Sequence, residues 1–231
     1  MQTVGVVGAN GYLGSALCAA FSRLPEHRVV PVTRDNYAER QRDPYDVLIN
    51  CAMPSARFWA KNNPQKDFLE TVQKTADLLH GWRYGKFIQI STVSARCQLD
   101  TVYGRHKAAA EALCPPGHLI VRLGAIYDQY MKKGVLVDML NGSTVFVDGD
   151  SRYCFASREF VADWIASNTG CSGIVEVGGR NAISLNEVAR DIGSPSMFEG
   201  ALDHQEIENP SPNYPEAREV LAFLIQWKLD P

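Results

Sequence analysis

The 231-residue chain has no run of like charge, no closely paired cysteines and no apolar stretch of membrane-spanning length. With 23 basic against 26 acidic residues and a net charge of −3, neither nucleic acid nor a membrane surface is expected as its main partner. The six cysteines (Cys18, Cys51, Cys97, Cys114, Cys154 and Cys171) are scattered and form no C-x-x-C pair. A disulfide framework or zinc site is therefore not expected, and a reducing cytoplasm fits. The five histidines are dispersed too, so no metal-ligand cluster emerges. The first apolar segment starts at residue 4, lacks a basic lead and runs into a glycine turn, unlike a signal peptide. Internal repeats and low-complexity tracts are absent. What is present, 45% hydrophobic and 21% charged residues, is ordinary globular composition with a packed core. The length suits one α/β domain with a small appendage.

The most informative stretch is Val4-Gly5-Val6-Val7-Gly8-Ala9-Asn10-Gly11-Tyr12-Leu13-Gly14. An apolar run, a glycine turn and the helical pattern Leu13, Ala16, Leu17, Ala20, Phe21 predict strand, turn and helix. Gly8 lets the chain leave the strand tightly, Gly11 lets a pyrophosphate approach the backbone, and Gly14 lets helix and strand pack closely. The helix N-terminus then offers free N–H groups and a positive dipole end to phosphates. This context favours dinucleotide binding over a ligand-free turn.

The second strand, 28–32, ends at Thr33-Arg34. An acid at that place accepts hydrogen bonds from a ribose 2′-hydroxyl and marks NAD, whereas Arg34 can clamp a 2′-phosphate. NADP is favoured, with NAD second; a solvated surface arginine is the competing reading. Residues 35–45 are too short for a third strand and its crossover helix, leaving a scrap around Tyr37 and no place for the adenine contacts. Asp46–Ala52 forms the next strand, with Asn50, Cys51 and Ala52 at its carboxyl end, where open α/β sheets bind ligands. A helix is predicted over 64–80, preceded by Phe58 and Trp59, which read as core.

Lys86–Thr92 is a strand ending in two hydroxyl residues, and Tyr103 and Lys107 follow on an alanine-rich helix. Four residues apart, they share a face. A lysine ammonium near a phenol lowers its pKa from about 10 and makes it a general acid/base. Thr92 can hold a substrate oxygen by hydrogen bonding. An ordinary exposed helix face is the competing reading of the Y-x-x-x-K spacing.

The glycine turn, Asn50-Cys51-Ala52, Ser91-Thr92 and Tyr103…Lys107, in that order, resemble a short-chain dehydrogenase/reductase of the extended branch, the NAD(P)-dependent epimerase/dehydratase family. Asn63-Pro64…Thr71, Arg122-Leu123-Gly124-Ala125-Ile126-Tyr127, Arg152…Asp163 and Ile174–Gly179 with Ser184–Val188 are similar to later family segments, so the likeness spans nearly the whole chain. It implies Thr92, Tyr103 and Lys107 as the catalytic trio. It implies cofactor contacts from Gly8, Asn10, Gly11, Tyr12, Leu13, Gly14, Cys51, Ala52, Leu123, Tyr103 and Lys107, alongside Arg34. Substrate contacts fall to Thr92, Ala125 and Arg152, whose guanidinium suits a diphosphate; a surface ion pair competes for Arg152. The family's frequent helix Asn is Thr71 here, and the Asp-Glu pair of its dehydratases is missing after Thr92. Cys97 and His106 do not match an epimerase base pair and read as a buried thiol and a surface imidazole.

The resemblance implies a Rossmann-type, doubly wound, mainly parallel α/β sheet over 1–150, completed by part of 170–180, with a reduced substrate lobe over 151–231. A final apolar helix at about 215–226 should pack Trp227. The implied activity is NADPH reduction of a 4-keto nucleotide sugar in the cytoplasm, with a homodimer formed through two helices. A nucleotide-sugar 4-epimerase retaining NAD is the close rival. A non-catalytic NADP-sensing protein and a reductase of small carbonyl compounds are the others.

Overall fold

The computed structural model describes residues 1–229. In chain order the first part comprises β1 (Gln2–Val7), α1 (Tyr12–Ser22), β2 (His27–Val32), α2 (Tyr37–Arg40), β3 (Pro44–Asn50), α3 (Arg57–Asn62), α4 (Pro64–Phe68), α5 (Lys74–Gly81), β4 (Arg83–Thr92), α6 (Ser94–Cys97), α7 (Val102–Ala112) and β5 (Leu119–Leu123). Then follow β6 (Ile126–Tyr127), α8 (Val135–Leu140), β7 (Arg152–Tyr153), β8 (Ala156–Ser157), α9 (Arg158–Ser167), β9 (Gly173–Val177), β10 (Ile183–Ser184), α10 (Leu185–Asp191) and α11 (Glu219–Leu229).

Six strands form one sheet in the order β2-β1-β3-β4-β5-β9. β1 pairs with β2 and β3 in parallel, and β3 with β4, as the Rossmann-type reading requires. Successive residues of a strand point to opposite faces. Val6 and Val7, Leu48 and Ile49, and Phe87 and Ile88 are nevertheless all buried, so helices cover both faces of these strands. Val7, Leu48 and Phe87 pack with Leu78 and Leu79 of α5 and with Trp82. The shortened third unit is real: between β2 and β3 the chain makes only the single turn α2, and β2 is left as the sheet edge. Pro31 is tolerated there because an edge strand has no second neighbour awaiting its missing N–H.

The helix predicted over 64–80 is continuous but changes pitch. Between α4 and α5, Leu69–Gln73 form a π-turn, the kind of local insertion often found at functional sites. Thr75 Oγ1 donates to the Thr71 carbonyl at 2.7 Å within it. Phe58 does not join the core; it is 80% exposed on α3.

The chain divides into two compact units. One holds Met1–Arg122 with Ala162–Val175, the other Leu123–Val161 with Glu176 onward. The sequence reading places the boundary near 150, with part of 170–180 completing the first sheet. Instead residues 123–161 go with the carboxyl-terminal part, because Tyr127, Leu136, Met139, Val145, Tyr153 and Phe155 share a core with Ile183, Leu185, Val188, Val220 and Leu224. In this second unit Ser184 and Glu187 make a capping box that starts α10. Trp227 packs edge-on to Phe223, ring centroids 5.3 Å apart. Among the described residues no helix is long and apolar enough to cross a membrane.

Candidate active site

The turn after β1 is built for close approach. Gly8 has φ +86°, and a Cβ there would lie 2.8 Å from Ala52 Cα and from the Cys51 carbonyl oxygen. A Cβ on Gly14 would stand 2.1 Å from the Gly8 oxygen. No side chain fits at either place, so the end of β1, the start of α1 and Cys51-Ala52 after β3 converge. Gly11 caps α1 without a side-chain hydrogen bond, and the first turn carries no acid. The free N–H groups at that end are thus left for an anion. Asn10 and Gly11 are exposed, Tyr12 is half-buried, and Leu13 and Gly14 anchor α1 in the core. These residues fit a dinucleotide pyrophosphate: backbone donors, a positive helix end and no obstructing side chain.

At the end of β2, Asn36 shapes the loop by accepting from the Thr33 N–H at 2.8 Å and donating to the Pro31 carbonyl. Arg34 projects from this turn and is exposed.

The second half of the site sits on β4 and α7. Thr101 caps α7 by accepting from the Gly104 N–H at 2.9 Å. Gly104 permits α7 to press on the preceding turn, since a Cβ there would be 2.0 Å from the Gln98 carbonyl oxygen. Tyr103 is thereby fixed in the first turn, 7% exposed, where the Thr92 side chain acts on its phenol. Lys107, one turn on, is 3% exposed, and its Nζ lies 5.2 Å from the Tyr103 ring centroid. The structure brings Thr92, Tyr103 and Lys107 together in the first unit.

Their electrostatics differ from the sequence expectation. Burial pushes the Tyr103 phenol up to about 12, with Asp67 adding to the rise and Arg57 and Thr92 opposing it. Lys107 does not lower it. Burial brings Lys107 itself down to about 7, although Asp67, Cys51 and Glu111 favour its charge. For both groups removal from water outweighs the neighbouring charges that favour ionisation. The Cys51 thiol is likewise pushed up to about 12 by burial.

A sign follows for stability. An unfolded lysine stays protonated up to about 10.4, whereas folded Lys107 releases its proton from about 7. Between these values the unfolded chain binds more protons, so this group's contribution rises with pH. Below pH 7 its burial cost is at its greatest. In urea melts from pH 7 to 9, wild type should gain stability relative to Lys107→Met, on the order of 2 kcal/mol across that window. A constant difference would mean that Lys107 titrates normally.

Other polar groups hold α7 to the sheet. Glu111 accepts from Ser91 Oγ at 2.5 Å and from Arg122 Nε and Nη2 at 3.0 and 2.7 Å, joining α7 to β4 and β5. Asn50 donates to Thr75 Oγ1 and to Gln89 Oε1, and its own oxygen accepts from the Ala52 N–H. Sequence reasoning missed both networks. It also misjudged His106 and Cys97. Cys97 is exposed, while His106 Nδ1 lies 2.7 Å from Oδ2 of the fully buried Asp67. The i, i+3 spacing from Tyr103 was the available signal for His106; nothing in the sequence pointed to Asp67.

The remaining expected contacts fall elsewhere. Leu123 is buried at the end of β5. Ala125 lies in the second unit, where its carbonyl accepts from the Ala156 N–H at 3.0 Å. Arg152, also in that unit, is exposed, and its guanidinium pairs with Glu206 at 3.2 Å and donates to the Ala182 carbonyl at 2.8 Å. That is the surface ion pair of the competing reading.

Residues 4–116 match the model of the NAD dependent epimerase/dehydratase family. Over this stretch, a little under half of the chain, the sequence is similar to that family. The stretch contains the glycine turn, Thr92, Tyr103 and Lys107. Solved structures share the fold along the whole length. RMD from Pseudomonas aeruginosa, complexed with NADPH, is 15% identical with a TM-score of 0.77, covering 100% of both chains. UDP-glucuronic acid 4-epimerase from Bacillus cereus, in complex with UDP-glucuronic acid and NAD, is 18% identical with a TM-score of 0.76, covering 99% of each. dTDP-4-dehydrorhamnose reductase from Bacillus anthracis, in complex with NADP, is 18% identical with a TM-score of 0.73, covering 98% of this chain and 99% of that one. No curated protein sequence matches the chain.

Proposed function

We propose that this protein reduces the 4-keto group of a nucleotide-activated sugar with NADPH. The observation that carries the reading is the set of half-buried Thr92 with buried Tyr103 and Lys107, in a unit that also holds a glycine cradle fit for a dinucleotide. A bound nicotinamide cofactor supplies the hydride. Thr92 orients the carbonyl oxygen, Tyr103 donates its phenolic proton to that oxygen as negative charge develops, and Lys107 restores the proton to Tyr103. Burial, which holds Tyr103 protonated well above neutrality, suits a donor. The reductive direction needs a donor first, and a 4-epimerase would need Tyr103 as a base first. That difference favours reduction over epimerisation with retained NAD.

Titration with NADPH and NADH, after checking whether a nucleotide co-purifies, tests the reading. Preferential, reversible NADPH binding is expected. Arg34→Ala should weaken NADPH by roughly ten- to a hundredfold, the worth of a charged hydrogen bond to phosphate, and leave NADH unchanged. Equal losses would show that Arg34 does not meet the 2′-phosphate. Tightly retained NAD would move the assignment to a 4-epimerase, and failure to bind either would favour a non-catalytic protein.

A further inference from the structure

The crossover between β2 and β3 is cut to the single turn α2. The base of a bound dinucleotide must therefore meet groups other than those a third strand would supply. The ribose of the adenosine half lies at the end of β2, and the base hangs one bond from it. The glycine cradle abuts that end: Gly8 and Ala9 both donate to the Val32 carbonyl, at 3.0 and 3.2 Å. Asn36 shapes the turn that follows, and α2 begins at Tyr37. Two bonds fix the other end of α2. The Tyr45 hydroxyl donates to the Arg40 carbonyl at 2.8 Å, and Gln41 Nε2 donates to the Gly81 carbonyl at 3.2 Å.

Tyr37 is half-buried. It packs, as Ala52 does, against the core cluster that includes Val7 and Val32, the last residues of β1 and β2. Trp82 meets it edge-on, ring centroids 5.0 Å apart. Lys74 sets its Nζ over the Tyr37 ring, 5.5 Å from the centroid. Lys74 itself stands level with the carboxyl end of β3, because its neighbour Thr75 is bonded to Asn50 at 3.2 Å and to Met53 at 3.8 Å. The ammonium also pairs with Glu70 at 3.4 Å, and both side chains are partly exposed. A flexible, solvated ammonium over one face of the ring marks that face as the open one.

We propose that Tyr37 and Lys74 form the adenine site of the dinucleotide, in place of the missing third unit. The proposal rests on the dinucleotide reading above and names where the base is held. The adenine stacks on the face of Tyr37 that Lys74 covers; an aromatic face takes any base by stacking. Trp82 and the bonds of α2 keep that ring in place beforehand. The Lys74 stem swings aside, and its ammonium, which has donors and no acceptor, donates to a ring nitrogen at the edge of the base. Arg34 leaves the same turn three residues before Tyr37, so one short loop addresses both the ribose and the base.

Binding measurements on the full chain test the site, and none needs a sugar substrate. First, 8-azido-NADP is irradiated with wild type and the digest is read by mass spectrometry. The label should fall on 35–40 or 67–74, the tryptic peptides of Tyr37 and Lys74, and excess NADPH should suppress it. Protected label confined to other peptides overturns the site. Next, Tyr37→Leu and Lys74→Met are titrated with NADPH by fluorescence. Tyr37→Leu keeps apolar bulk against Trp82 and removes the stacking face. Its Kd should rise about tenfold, within the worth of one base on an aromatic ring. Lys74→Met keeps the stem and loses the donor, and its Kd should rise about three- to tenfold. Inorganic pyrophosphate, which carries no base, should compete with NADPH equally well in wild type and in Tyr37→Leu. Unchanged NADPH affinity in either variant, or a loss for pyrophosphate in step with NADPH, overturns the site. Should Tyr37→Leu fail to fold, the label and Lys74→Met decide. If wild type takes NAD instead, 8-azido-NAD and NADH replace the probes with the same expectations. Wild type that binds neither dinucleotide overturns the cofactor reading and the site with it. Wild type that binds NADPH but reduces no keto sugar overturns the reductase reading alone, and the label still decides the site.

Discussion

Tyr103→Phe abolishes turnover, with kcat falling about a thousandfold, while NADPH binds as in wild type. The expectation rests on what the substitution removes. Tyr103 is held in place by the Thr101 cap and by the tight contact at Gly104, neither of which involves the phenolic oxygen. The ring of phenylalanine fills the same buried space, so fold and cofactor cradle persist. Only the proton donor disappears. A positioned general acid contributes about 10²–10⁴-fold. Stopped-flow NADPH oxidation and a fluorescence titration measure the two quantities separately. A variant that keeps turnover would sink the assignment of Tyr103 as donor. One that loses NADPH binding in parallel would move its role from chemistry to the cofactor.

The largest loss of stability is expected from Glu111→Ala. Glu111 is buried, and its two oxygens receive the Arg122 guanidinium and the Ser91 hydroxyl. Removing one partner of a buried ion pair costs about 3 kcal/mol or more, because the other partner's charge loses its compensation. For a chain of this length that is roughly 6–12 °C in Tm, read by thermal melting followed by circular dichroism. Turnover should fall as well at temperatures where the fold persists, since this network fixes α7 and α7 carries Tyr103 and Lys107. A Tm within a degree of wild type would mean that α7 is held by apolar packing alone.

Much of this architecture was legible in the sequence because it depends on short-range patterns. The strand–turn–helix at residues 2–22, the truncated third unit and the Tyr103–Lys107 helix each rest on local spacing: glycines three apart, too few residues between two strands, a shared face at i, i+4. What could not be read depends on distant partners. Whether Lys107 lowers the Tyr103 pKa turns on how dry their surroundings are, and burial is set by the whole sheet. Arg152 read as either a phosphate ligand or half of a surface ion pair, and its partner Glu206 lies far along the chain. Asp67 looked like one more polar residue of an amphipathic helix; only the approach of α7 gives it His106. The domain boundary was misplaced for a similar reason, since the core shared by Tyr127 and Leu185 joins segments with no common local pattern.

The π-turn at Leu69–Gln73 has a consequence for aligning related sequences. An α-helix advances by about 100° per residue, and a π-turn absorbs one surplus residue without lengthening the helix appreciably. Upstream and downstream halves are therefore out of phase by one residue: Asp67 is directed to α7 on one side of the turn, and Leu78 to the sheet core on the other. A homologue with one residue fewer between 69 and 73 has not simply lost a side chain. Regular α-helix in place of the π-turn drops the surplus residue and leaves both halves facing as they do here, so a one-position gap there marks loss of the π-turn rather than a change in which residues face α7.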